Sequence, residues 1–264
     1  MSDAGTARSS GRLDGRTVLV TGAGSGIGAA TARRLVAAGA AVAVADVRFD
    51  AAAALVAGVA GPSVKTLALA IDVADEPSVA AAVATTVTEF GRLDTVVASA
   101  GIALAGTTDS LALEEWESVI RINLTGTFLT IKHALPHLCA SGHGSIVTVG
   151  SVASIVAAGR VSSYDASKGG VLQFTRAVAV EYADRGVRAN CVCPGVTATN
   201  LAATSQAITA SSRTTDPPPL RVRVPMNRPA DPDEIAAVIA FLCSDDASFV
   251  TGAAIMADGG YTAI

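Results

Sequence analysis

Short apolar runs rich in β-branched residues alternate along the whole chain with longer, Ala-rich stretches of helical periodicity, which is the pattern of repeated βαβ units. Strands are predicted near Thr17–Thr21, Ala41–Asp46, Thr66–Ile71, Thr95–Ser99, Ser145–Gly150, Arg188–Val192 and Ala254–Met256. Helical patterns lie between them near 26–38, 50–60, 76–90, 112–139, 162–184 and 232–243. The last opens on Asp231, Pro232 and Glu234, a cap with proline in the first turn and an acid at the third position. Continuous apolar strands joined through helices belong in a parallel sheet covered on both faces, and right-handed crossovers make it doubly wound. The expected fold is therefore α/β, a seven-stranded parallel sheet with helices on both faces. One segment breaks the rhythm. Asn200 to Asp231 carries Ser, Thr, four Arg and the run Pro217-Pro218-Pro219, and it falls at the carboxyl edge of the sheet, where a long loop predicts a substrate lid at about 200–230.

The 264 residues allow one large domain or two small ones at about 150 residues each. The alternation has no break, so one domain is expected over 12–264, behind a flexible tail at 1–11. Half of the residues are apolar and 16% are charged, which excludes a disordered chain. A net charge of −4 with no polybasic run excludes nucleic acid and anionic membrane surfaces as partners. The mean hydropathy is +0.48, yet stretches such as Ala51–Ala60 and Ile235–Cys243 are only about half a membrane span. The first dozen residues lack the apolar core of a signal peptide, and cytoplasmic residence is the expectation. Cys139, Cys191, Cys193 and Cys243 have neither CxxC spacing nor the density of a disulfide scaffold, so buried thiols are expected. His133 and His137 have a zinc-compatible i, i+4 spacing with His143 nearby. No carboxylate or cysteine completes a ligand set, and no metal is expected.

The first predicted strand runs into Thr21-Gly22-Ala23-Gly24-Ser25-Gly26-Ile27-Gly28 and then a helix. Glycines remove Cβ obstacles to a pyrophosphate, and a helix N-terminus supplies free N–H groups and a positive dipole. Three spaced glycines alone are a weak signal. Their place between strand and helix, with Asp46 ending the second strand, is far more specific for a dinucleotide site. A carboxylate at Asp46 would accept hydrogen bonds from the adenosine ribose and repel the extra phosphate of NADP, so NAD is the preferred cofactor. Two opposing readings are that Asp46 only ends a strand and that Arg48 reaches a phosphate. Asp72, closing the third strand before Val73, either touches the adenine or caps the next helix.

The chain has three tyrosines and three lysines, so about 0.03 Tyr-xxx-Lys pairs are expected by chance. Tyr164 and Lys168 form one. On a helix this spacing puts both side chains on one face, where the ammonium would lower the phenol pKa toward working pH and make Tyr164 a general base. Ser151, thirteen residues earlier at a strand end, would present a hydroxyl to the same substrate oxygen.

Thr21 to Gly28, Asp46, Asn123, Ser151, Tyr164 with Lys168, and Pro194-Gly195-Val196-Thr197-Ala198-Thr199 together resemble the short-chain dehydrogenase/reductase family, over about residues 12 to 264. The resemblance implies a single Rossmann-type domain and an Asn-Ser-Tyr-Lys tetrad of Asn123, Ser151, Tyr164 and Lys168, with Asn123 holding a water that leads to the lysine. It also implies that Lys168 binds the nicotinamide ribose and that Pro194, Gly195, Thr197 and Thr199 hold the nicotinamide amide. The candidate cofactor set further includes Val73, Ala100 and Gly101. One departure is Ser99, where the family often has asparagine, which weakens the bracing of the central strand. A homotetramer built on the long helices and the last strand is also implied.

The expected reaction moves a hydride between NAD(H) and a secondary alcohol or ketone. Ile102, Ala103, Val152, Ala153 and Val196 predict a largely apolar substrate, an alicyclic alcohol being one example. Two other readings stay open. One is a 3-oxoacyl thioester reductase, for which Arg213, Arg221, Arg223 and Arg228 would attract an acidic partner, although Asp46 argues against the NADPH such reductases generally use. The other is a non-catalytic NAD(H) sensor, which would bind NADH without consuming any ketone.

Overall fold

A computed structural model of the chain describes residues 13–59, 61, 65–157, 159–201, 203, 205 and 224–264. Seven strands, β1 (Thr17–Thr21), β2 (Ala41–Asp46), β3 (Thr66–Ala70), β4 (Thr95–Ala98), β5 (Gly144–Val149), β6 (Val187–Pro194) and β7 (Ala254–Ala257), form a parallel sheet in the order β3-β2-β1-β4-β5-β6-β7. Helices α1 (Gly26–Ala37), α2 (Phe49–Val59), α3 (Glu76–Phe90), α4 (Leu113–Ile120), α5 (Gly126–Ser141), α6 (Ser162–Tyr182) and α7 (Pro232–Cys243) connect them.

Every residue of β1, β4 and β5 is buried, as a sheet covered on both faces requires. Successive side chains of β1 go to opposite layers. Val18 and Val20 pack with Leu35 of α1 and Ile235 and Ile239 of α7, whereas Leu19 packs with Val83 of α3 and Ile131 and Leu138 of α5. β1 has β2 on one side and β4 on the other, so the connections leave it in opposite directions and open a crevice at the carboxyl ends of the strands.

The long helix expected over 112–139 is three pieces. α4 passes through a π-helical turn at Arg121–Thr125 into α5, and α5 continues through Pro136 to Ser141. The extra residue of a π turn re-aims its side chains, and here Asn123 points inward, fully buried. β6 reaches Pro194, two residues beyond its predicted end. Residues 206–223, most of the predicted lid, lie outside the described residues, as does the tail at 1–11. Among the described residues no helix is long and apolar enough to cross a membrane.

Candidate active site

The turn after β1 is built by close backbone packing. Gly22 has φ +66, and a Cβ on it would stand 2.6 Å from Ala100 Cα, while one on Gly28 would stand 2.2 Å from the Gly22 carbonyl oxygen. No side chain caps the start of α1, so its first N–H groups stay available to an anion. Asp46 is buried, its carboxylate accepting the Gly24 N–H at 2.8 Å and the Arg48 N–H at 2.9 Å. The Arg48 guanidinium donates to Ser25 Oγ at 3.1 Å. Asp72 is not the cap of the next helix. Asp75 takes that role by accepting the Ser78 N–H at 3.0 Å, while the Asp72 carboxylate accepts the Ala74 N–H at 2.9 Å.

A groove of about 1720 Å³ runs along this edge of the sheet, larger than the several hundred Å³ that one small ligand usually fills. Gly22, Ser25, Gly26, Ile27, Gly28, Asp46, Asp72, Val73, Ala100 and Gly101 line it, and so do Ser151, Tyr164, Lys168, Pro194, Gly195, Thr197 and Thr199. Gly24 borders it through its bond to Asp46. The predicted apolar residues Ile102, Ala103, Val152, Ala153 and Val196 form part of the same wall.

Ser151, Tyr164 and Lys168 meet in this groove. Ser151 follows β5, and its hydroxyl accepts the Ala153 N–H at 3.1 Å and also hydrogen-bonds Tyr164. Lys168 Nζ lies 5.6 Å from the Tyr164 ring centre and donates to the Val149 carbonyl at 2.7 Å. The direction of the phenol shift is opposite to the one the sequence predicts. Burial pushes Tyr164 above its ordinary value of 10.0, with the Ser151 bond acting in the opposite direction. Burial also pulls Lys168 down to about 8. Both shifts come from exclusion of water, which disfavours the charged form of either group.

Asn123 faces the same region through a brace. Its amide accepts the Ile102 N–H at 2.8 Å, donates to the Ile102 carbonyl at 2.9 Å and donates to Ser167 Oγ at 3.0 Å. Ser167 precedes Lys168, so Asn123 ties the loop after β4 to α6 beside the lysine. Ser154 is a supporting residue that sequence reasoning missed. Its hydroxyl accepts the Ser151 N–H at 3.2 Å and donates to the Lys168 carbonyl at 2.8 Å. The available signal was a second serine three residues after Ser151.

The histidines make other contacts. His133 bonds Glu76 at 3.0 Å, and His143 lies between Arg16 and Arg92. Among the described residues no cluster of three or more His, Cys, Asp or Glu is placed to hold a metal. Arg228 is occupied by the Glu234 carboxylate at 2.6 and 2.7 Å and is not free to recruit an acidic partner. Arg213, Arg221 and Arg223 lie outside the described residues.

A family model described as enoyl-(acyl carrier protein) reductase matches residues 22–262. The chain is 46% identical over 250 residues to cis-4-hydroxycyclohexanecarboxylate dehydrogenase of Sinomonas cyclohexanicum, a match covering 94% of this chain and 97% of that one. It is 41% identical over 254 residues to D-threitol dehydrogenase of Mycolicibacterium smegmatis, covering 95% and 94%. The crystal structure of levodione reductase superposes with a TM-score of 0.87 at 38% identity, covering 96% of this chain and 99% of that one.

Proposed function

The chain belongs to the short-chain dehydrogenase/reductase family of oxidoreductases acting on CH–OH groups, and from that premise we propose that it moves a hydride between NAD(H) and a secondary alcohol or its ketone. The observation that carries this reading is one groove that joins a dinucleotide cradle to the Ser151, Tyr164 and Lys168 cluster. The close-packed glycine turn and uncapped helix start suit a pyrophosphate, and Asp46 suits a ribose. Lys168 with Tyr164 would hold the nicotinamide ribose, and Pro194, Gly195, Thr197 and Thr199 the amide. A nicotinamide coenzyme held there supplies the hydride donor or acceptor.

The residues then divide the remaining work. Ser151 holds the substrate oxygen, and Tyr164 exchanges the proton of that oxygen through its phenol. Lys168 places a cation beside the phenolate. Asn123 is a positioning residue, acting through Ile102 and Ser167. The apolar wall favours an uncharged ring or chain next to the carbinol, and relatives named for cyclohexanol and for a cyclohexanecarboxylate support an alicyclic alcohol.

We read residues 12–264 as one domain, resident in the cytoplasm. Phe128 on α5 is 43% exposed and lines a cleft between α5 and α6 with Leu135, Phe174 and Val178. That surface supports a homotetramer assembled through α5 and α6.

Initial rates with secondary alcohols, diols and ketones, each with NAD and with NADP coenzymes, test the activity. Turnover is expected with alicyclic secondary alcohols and NAD. A protein that binds NADH yet reduces no ketone and oxidises no alcohol would be a sensor, and the proposal would fall.

Two variants probe the parts. In Asp46→Ala the preference for NAD over NADP, as a ratio of kcat/KM, is expected to drop by roughly 10- to 100-fold, the worth of a lost charge-assisted hydrogen bond. An unchanged ratio would remove Asp46 from coenzyme selection. A Cβ on Gly101 would lie 3.3 Å from Asn123 Oδ1 and 3.4 Å from Lys168 Nζ. Gly101→Ala is therefore expected to destabilise the fold by about 1 kcal/mol and slow turnover several-fold by displacing the lysine, as read by thermal melting and kcat.

A further inference from the structure

Arg160 and Asn227 are the non-glycine residues of the described chain with positive φ, and Arg160 holds φ +61. A residue with a Cβ is strained there, and such strain persists where the surroundings over-determine it. The surroundings do so here: the Arg160 carbonyl accepts the Gly106 N–H at 2.7 Å, and Val161 next to it bridges to the same Gly106. This clamps the segment before α6 onto the loop after β4, four residues ahead of Tyr164. The Arg160 side chain lines the groove that also contains Tyr164, and it is exposed, with no hydrogen bond or ion pair among the described residues. The carboxylates that line the groove, Asp46 and Asp72, flank the adenosine end near the glycine turn. An exposed guanidinium without a countercharge, on a clamped stretch of backbone, therefore borders the apolar wall of Ile102, Val152 and Val196 around the proton-exchanging phenol, while Arg48 and Arg121 line other parts of the groove.

We propose that Arg160 recognises a carboxylate on the substrate, separated from the reacting carbinol by an apolar ring or chain. The substrate class is then a hydroxy acid rather than a neutral alcohol. This rests on the reading that Tyr164 handles the carbinol, and it adds the group that orients the far end. A guanidinium suits the task because its planar fork matches a carboxylate with two parallel hydrogen bonds. The backbone clamp fixes its Cα, which limits where the guanidinium reaches along the groove.

The test compares kcat/KM for 4-hydroxycyclohexanecarboxylate, its methyl ester and cyclohexanol in wild type, Arg160→Gly and Arg160→Lys. Glycine relieves the positive φ, so that variant keeps the clamp while losing the cation. Wild type is expected to prefer the acid to the ester by about tenfold or more. In Arg160→Gly the acid-to-ester ratio is expected to fall by roughly 10- to 100-fold, mainly through KM of the acid, with Arg160→Lys in between. An acid-to-ester ratio unaltered in Arg160→Gly overturns the proposal. An equal loss on all three substrates also overturns it, since that outcome makes Arg160 a loop support. If wild type turns over none of the three while binding NADH, the alcohol reading itself has failed, and the proposal fails with it.

Discussion

Replacing Tyr164 with phenylalanine is expected to lower turnover by about 10²- to 10⁴-fold in both directions, with the fold and NADH binding retained. The ring stays and only the hydroxyl is lost. Ser151 keeps its bond from the Ala153 N–H, and its own O–H, which loses the Tyr164 oxygen, lines the groove, where solvent can take that place. The direction of the phenol shift adds a pH signature. Because burial holds the Tyr164 pKa above 10.0, the phenol carries its proton at neutral pH and is poised to give it to a ketone. Alcohol oxidation needs the phenolate and should accelerate as pH rises, whereas ketone reduction should not. Steady-state rates in each direction from neutral to alkaline pH, with coenzyme titrations of the variant, measure both effects. Turnover within tenfold of wild type, or pH profiles that are the same in both directions, would remove Tyr164 from proton exchange.

Much of this site was legible because its chemistry depends on residue type at fixed spacing. The glycine turn, Asp46 at the end of β2 and the four-residue interval from Tyr164 to Lys168 are local patterns, and each sits on the element that periodicity predicted. What periodicity could not show is what water exclusion does to these groups. The spacing alone argues that an ammonium lowers the phenol pKa. In the folded chain loss of water moves the phenol up, against the Ser151 bond, and moves the buried lysine down to about 8. The π turn at Arg121–Thr125 was hidden for a related reason. Its residues satisfy helical periodicity, and only the tertiary bonds of Asn123 to Ile102 and Ser167 show why an extra residue is accommodated. Arg160 was invisible because backbone conformation, not residue type, marks it. The helix-cap reading of Asp72 failed because the cap sits three residues later, at Asp75.

Lys168→Met is expected to abolish most turnover, by about 10²-fold or more, and yet to make the ligand-free protein more stable. Lys168 is 5% exposed, and its polar partner among the described residues is a carbonyl, Val149, rather than a carboxylate. Its pKa falls from 10.5 to about 8, with burial the largest cause. Each unit is worth 1.36 kcal/mol, so burying the charged form opposes folding by about 3 kcal/mol at neutral pH. The sign follows from proton counting. Below pH 8 both folded and unfolded chains are protonated at this site and the whole penalty acts. Between about pH 8 and 10.5 the unfolded chain binds more protons, so wild type gains stability as pH rises. Methionine fills a similar volume without the charge, but it strands the Val149 carbonyl, which returns about 1–2 kcal/mol of the gain. The net expectation is about 1–2 kcal/mol of stabilisation at pH 7, a rise of a few degrees in Tm for a chain of this size. That advantage should shrink and then reverse as pH climbs through the window, because wild type sheds its penalty while the stranded carbonyl of the variant remains. Thermal melts of both proteins without coenzyme from pH 7 to 10 read the crossing directly. A variant less stable than wild type at pH 7, by a margin that does not change with pH, would show that the ammonium is no burden to the fold.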